Sequence, residues 1–138
     1  MATLADIFIA DPHSARSYPA DPISFDRIEL KRLTILELSI LRSILLGNEW
    51  DVVSLDLFEP VFDFPGDVES INQLPQDLVQ SLASTEGGKR VEEISRLWAE
   101  TDELCCDPEE IHAILVDIIK LARQALQNEK KLFLWVSL

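Results

Sequence analysis

Residues 107–138 constrain the fold of this chain most, because a capped amphipathic helix there runs directly into a strand that is apolar on both faces. In Asp107-Pro108-Glu109-Glu110, Asp107 can accept from the free backbone N–H groups, Pro108 suits the first helical position and Glu110 completes a capping box. Apolar residues then recur at Ile111, Ile114, Leu115, Ile118, Ile119, Ala122, Ala125 and Leu126, the spacing that draws one helical stripe. Lys130 and Lys131 follow at the negative end of the helix dipole. Leu132-Phe133-Leu134-Trp135-Val136-Ser137-Leu138 is too apolar for a half-wetted strand and reads as a central, buried one. Ala5-Asp6-Ile7-Phe8-Ile9-Ala10, closed by Asp11-Pro12, is its counterpart at the other end. The two are expected to share a sheet as neighbours.

Between these ends, Pro12, Pro19 and Pro22 mark a loop, and the period-two segment Arg27-Ile28-Glu29-Leu30-Lys31 fits a short strand with one wet face. Thr34-Ile35-Leu36-Glu37 repeats the capping-box pattern, and Gly47 stands where a left-handed residue would close a helix over Ile35 to Leu46. Its apolar positions wrap most of the way round, so it is expected to be the most buried helix. Val68 to Gln73 reads as another strand, and Leu74-Pro75 opens a helix through Leu82 that stops before Gly87-Gly88. A further helix over Lys89 to Leu104 carries an inner stripe of Val91, Ile94, Leu97, Trp98, Thr101 and Leu104. With no regular βαβ rhythm, the expectation is a single α+β domain over 1–138: about four helices packed on a small sheet that includes the N-terminal and C-terminal strands.

Charge narrows the choice of partner. From Ser43 to Gly88 the chain runs 46 residues without a Lys or Arg while nine acids fall inside, and all twelve basic residues lie elsewhere. The net charge of −13 exceeds the magnitude of about 2 to 8 usual for a small soluble domain. A one-signed field attracts cationic partners and repels nucleic acid and anionic membrane, and the basic pairs Lys31-Arg32, Lys89-Arg90 and Lys130-Lys131 form no phosphate-binding patch. Neither nucleic acid nor membrane is therefore expected as a partner. No apolar run reaches the roughly 18 to 20 residues of a membrane-spanning helix, the first residues lack the basic region of a signal peptide, and the adjacent Cys105 and Cys106 staple nothing distant. The chain reads as a reduced, cytoplasmic protein.

No sequence motif specifies a reaction. G-x-G-x-x-G, G-x-x-x-x-G-K-[ST], G-x-S-x-G and H-E-x-x-H are all absent. His13 and His112 are the only histidines; His13 sits in a loop beside Ser14, and His112 reads as a solvated helix residue. Cys105, Cys106, Asp107, Glu109 and His112 lack the spacing that lets two side chains converge on zinc, and the acids around Gly66 lack an EF-hand register. No catalytic residue, cofactor or metal is assigned.

What stands out is the mixture of acids and aromatics from Glu49 to Glu69, the least regular part of the domain. Glu49, Asp51, Asp56, Phe58, Glu59, Phe62, Asp63, Phe64, Asp67 and Glu69 are the candidate partner-binding residues. Apolar anchors supply affinity at an interface, and charge complementarity supplies speed and selectivity. The functional expectation is a non-enzymatic protein-binding module of adaptor, inhibitor or immunity type for a basic partner protein. The alternatives are a small carboxylate-dependent enzyme with His13 as an accessory, and a self-associating structural subunit or homo-oligomer.

Overall fold

Two strands from the chain termini form the middle of the molecule. In the computed structural model, which describes residues 4–31, 33–63, 69–100 and 108–137, β1 (Leu4–Ala10) pairs antiparallel with β5 (Lys131–Ser137) along its whole length. On the far side of β1 lies β2 (Arg27–Lys31); beyond β5 lie β4 (Glu69–Gln73) and then β3 (Glu59–Asp63). All four pairings of the order β2-β1-β5-β4-β3 are antiparallel. Four α-helices, α1 (Ile35–Leu46), α2 (Gln76–Ala83), α3 (Gly88–Ala99) and α4 (Pro108–Gln127), complete an α+β fold.

Both faces of β1 and β5 are covered, which explains why neither strand alternates apolar with polar. One face presents Ala5, Ile7, Ile9, Leu132, Leu134 and Val136 to the helices, where they meet Leu38, Leu41, Leu78, Leu82, Ile94, Trp98, Leu115 and Ile118. The other face presents Phe8, Ala10, Phe133 and, from β4, Ile71 to the segment between β1 and β2, chiefly Ala15 and Tyr18. The Tyr18 ring stacks on Phe8 with centroids 3.9 Å apart, and its hydroxyl donates to Asp6 Oδ2 at 2.5 Å. Burial is the main cause that pushes both the Asp6 carboxyl and the Tyr18 phenol upward, so the pair favours a neutral tyrosine donating to its neighbour.

The helix termini follow their sequence signals where they are described. Thr34 Oγ1 accepts from Leu36 N at 3.3 Å while Glu37 Oε2 accepts from Thr34 N at 3.0 Å. Gly47 closes α1 in the left-handed region at φ 72°, and Asn48 N reaches back to Ser43 O at 3.0 Å. The proposed cap Asp107, and the stretch from Thr101 through Leu104, lie outside the described residues. Arg123 of α4 donates to Ala83 O (2.9 Å) and Thr85 O (2.5 Å), satisfying carbonyls at the end of α2.

The expectation that α1 is the most buried helix holds: none of its residues is exposed, with Ser39 and Ser43 turned inward, whereas α4 lies against α2, α3 and the sheet but keeps an exposed side that includes Ala113, Asp117, Lys120 and Arg123. Two expectations need correction. Leu97 is exposed, because the inner side of α3 narrows to Val91, Ile94, Ser95 and Trp98. A fifth strand, β3, occupies a segment taken to be irregular. Pro60 and the register shift between Pro60 and Phe62 disguise it, and both are devices common on edge strands.

A Cβ added at Gly47 would meet nothing within 4 Å, so the cost of Gly47→Ala is conformational rather than steric. The substitution is expected to lower unfolding free energy by about 1 kcal/mol, read from urea midpoints at unchanged m.

Candidate partner-binding surface

Where α1 ends, the left-handed Gly47 turns the chain back across the end of the helix, and the following residues are pinned at several points. The Trp50 indole N–H donates to Ser39 Oγ at 2.8 Å, which itself donates to Leu36 O at 2.6 Å. Asp51 caps a six-residue 3₁₀ helix, Val52–Leu57: its Oδ1 accepts from Val53 N at 3.0 Å and its carbonyl from Ser54 N at 2.9 Å. At the other end Phe58 plunges into the main core at 2% exposure, and its carbonyl accepts from Asn72 Nδ2 at 3.0 Å. With its two ends anchored, the intervening turn forms a fixed ridge.

That ridge is apolar and wet. Trp50 (41%), Val52 (62%), Val53 (62%) and Leu57 (44%) are four of the seven exposed large apolar side chains among the described residues. Scattered exposed apolar residues are ordinary, whereas these four fall within eight positions of the chain. Glu49, Asp51, Asp56 and Glu59 are exposed around the ridge, and none of them forms an ion pair among the described residues.

The ridge continues into a cleft of about 440 Å³, since Leu57 and Glu59 line it together with Gln73, Pro75, Asp77 and Arg42. Across the cleft Arg42 of α1 grips Asp77 of α2 through Nε (3.0 Å) and Nη2 (2.5 Å). The guanidinium's hydrogen bonds hold the Asp77 carboxyl below the usual carboxylate range and push Arg42 further up. The pair ties the two helices together and cancels Arg42's charge locally.

The ten sequence candidates thus separate. Glu49, Asp51, Asp56 and Glu59 fall together on the ridge. Phe58 is a core residue rather than an exposed anchor, because the 3₁₀ turn rotates it beneath the sheet edge. Glu69 is half-buried at the far end of β4: it pairs with Ser137, whereas Glu59 pairs with Gln73. Four residues of strand put these ends about 13 Å apart, and the backbone of Asp63, opposite Ser70, lies at the same far end. Phe62 is placed in β3 by its backbone; its side chain and that of Asp63, and all of Phe64 and Asp67, lie outside the described residues. Val52 and Val53 were missed as contributors. Their signal was a Val-Val pair straight after a capping Asp with no strand partner in the pattern.

Neither histidine joins this surface. His13 is exposed on the turn after β1, and His112 is half-buried in a separate cleft of about 320 Å³ lined also by Glu92, Ser95, Arg96 and Glu109. Cys105, Cys106 and Asp107 lie outside the described residues, and among the described residues no cluster of His, Cys, Asp and Glu is arranged to hold a metal ion. No described helix is long and apolar enough to cross a membrane. No protein-family model matches the chain, and no curated protein or solved structure does so either.

Because Asp77's folded-state value is depressed, its stabilising contribution is present above the ordinary carboxylate value of about 3.9 and is lost as pH falls through the folded value. Asp77→Asn is therefore expected to lower stability at pH 7 and to reduce the loss seen on acidification from pH 5 to pH 2. Urea unfolding across that range checks both.

Proposed function

We propose that this protein is a non-enzymatic protein-binding module that docks a basic protein through the ridge at residues 49–59. The observation that carries the reading is the co-location of four exposed apolar side chains with four acids that form no ion pair among the described residues, on a backbone pinned at Ser39, Asp51 and Asn72. A rigid apolar patch loses little entropy on binding, and an acidic rim steers a cationic partner while repelling like-charged surfaces. Two copies of this chain, each carrying −13, would bring like charge together at that face, so a foreign basic partner fits it better than self-association. The setting proposed with this reading is cytoplasmic, since the two adjacent cysteines supply no framework of distant disulfides.

The test is retention of proteins from the source lysate on wild-type protein, Val53→Asp and Ile23→Asp. Both substituted residues are exposed, so neither change is expected to alter stability by more than about 0.5 kcal/mol. The expected result is a protein of pI above about 8 that elutes with rising salt, weakens at least about tenfold with Val53→Asp and is unaffected by Ile23→Asp. Equal retention by both variants, or retention indifferent to salt, would reject the reading.

A further inference from the structure

The sheet ends in β2 on one side and β3 on the other, and only β3 is guarded. It carries Pro60 and a register shift, both of which obstruct pairing with a further strand. β2 has neither, and its five residues pair with β1 in unbroken register. Ile9 N donates to Asp26 O at 2.9 Å. By antiparallel alternation Ile28 and Leu30 then turn their backbone groups toward β1, while Arg27, Glu29 and Lys31 turn theirs outward. Among the described residues no backbone hydrogen bond reaches those outward groups.

We infer that β2 pairs antiparallel with β2 of a second copy about a two-fold axis at Ile28, so that two five-stranded sheets run on as one. The charge pattern selects this register. Arg27 of each copy stands opposite Glu29 of the other; each pair exchanges both backbone N–H···O bonds and sets opposite charges side by side on one face. On the other face Ile28, half-buried against the core, meets its counterpart. Centring the strands on Arg27 or on Glu29 would set that residue against itself, like charge opposing like. Centring them on Leu30 would need Leu33, which is buried, opposite Arg27. Arg27 Nη2 donates to Glu29 Oε1 of its own strand at 2.8 Å, and the remaining guanidinium donors can serve a second carboxylate. Glu29, with 70% of its side chain exposed, is open to a second arginine. The acidic surplus lies elsewhere: residues 26–32 hold three bases against two acids, and exposed charges beyond about 8 Å are largely screened at physiological ionic strength. The ridge at residues 49–59 leads into β3 at the opposite edge, so this dimer leaves both ridges clear, and neither reading depends on the other.

The experiment is sedimentation equilibrium of the intact protein from about 10 μM to about 1 mM, with amide hydrogen exchange followed by NMR at both ends of the range. The expected result is a rise from the 15.6 kDa chain to twice that mass, with a dissociation constant on the order of 100 μM. Exchange is expected to slow most at the Arg27 and Glu29 amides. Arg27→Glu and Glu29→Arg, each checked for folding by circular dichroism, are each expected to weaken the dimer at least about tenfold. An equimolar mixture of the two is expected to restore it, because each variant then meets the opposite charge in the other. A single 15.6 kDa species at the highest concentration would overturn the inference. So would a dimer whose Arg27 and Glu29 amides exchange as fast as the monomer's, or a mixture of folded variants that associates no better than its components. The wild-type mass and exchange need no substitution, so they decide the matter even where a variant misfolds.

Discussion

The pairing of β1 with β5 is the constraint on which the rest depends. It joins residues more than a hundred positions apart and places the two chain ends at the centre of the sheet. Every other element is arranged to keep those strands dry: the four helices on one face, the segment carrying Tyr18 and Phe25 on the other. Contacts of such long separation are closed against a large loop entropy, which the burial of both faces of the two strands helps to offset.

The helical layer shows how polar groups are reconciled with that core. Trp98 fills it while its indole N–H donates to Glu37 O at 3.0 Å, linking α3 to α1. Arg123 performs the corresponding service between α4 and the end of α2, and Arg42 with Asp77 between α1 and α2. Three of the helix contacts, α1 with α3, α1 with α2 and α4 with the end of α2, thus carry directional bonds beside their apolar packing. Apolar burial holds the helices to the sheet, and these bonds fix their register.

Much of the fold was legible in the sequence because its signals are local. Helix periodicity, the Thr34–Glu37 capping box, Gly47 and the two-faced apolar strands each declare their structure within a few residues. What was not legible depends on contacts distant in sequence. β3 is a strand because β4 pairs with it, despite Pro60 and its acids. Exposure is likewise a tertiary property: the same apolar-acidic segment sends Phe58 inward and Trp50, Val52, Val53 and Leu57 outward, a division set by the short turn of 3₁₀ helix. Strand geometry likewise carries Glu69 away from Glu59, a separation that their closeness in sequence hides.

The ridge follows from the same economy of anchors. Ser39 and Asn72, neither of them on the ridge, hold its ends, leaving the valines exposed on a surface ringed by carboxylates. The central claim is that this surface is occupied by a basic protein. It is tested most directly by placing a photo-crosslinking residue at position 53 in the producing cell, with position 23 as the comparison. The account predicts an adduct from position 53, absent from position 23, with a protein of basic pI. Adducts common to both positions, or adducts from position 53 only with another copy of this chain or with an acidic protein, would contradict it.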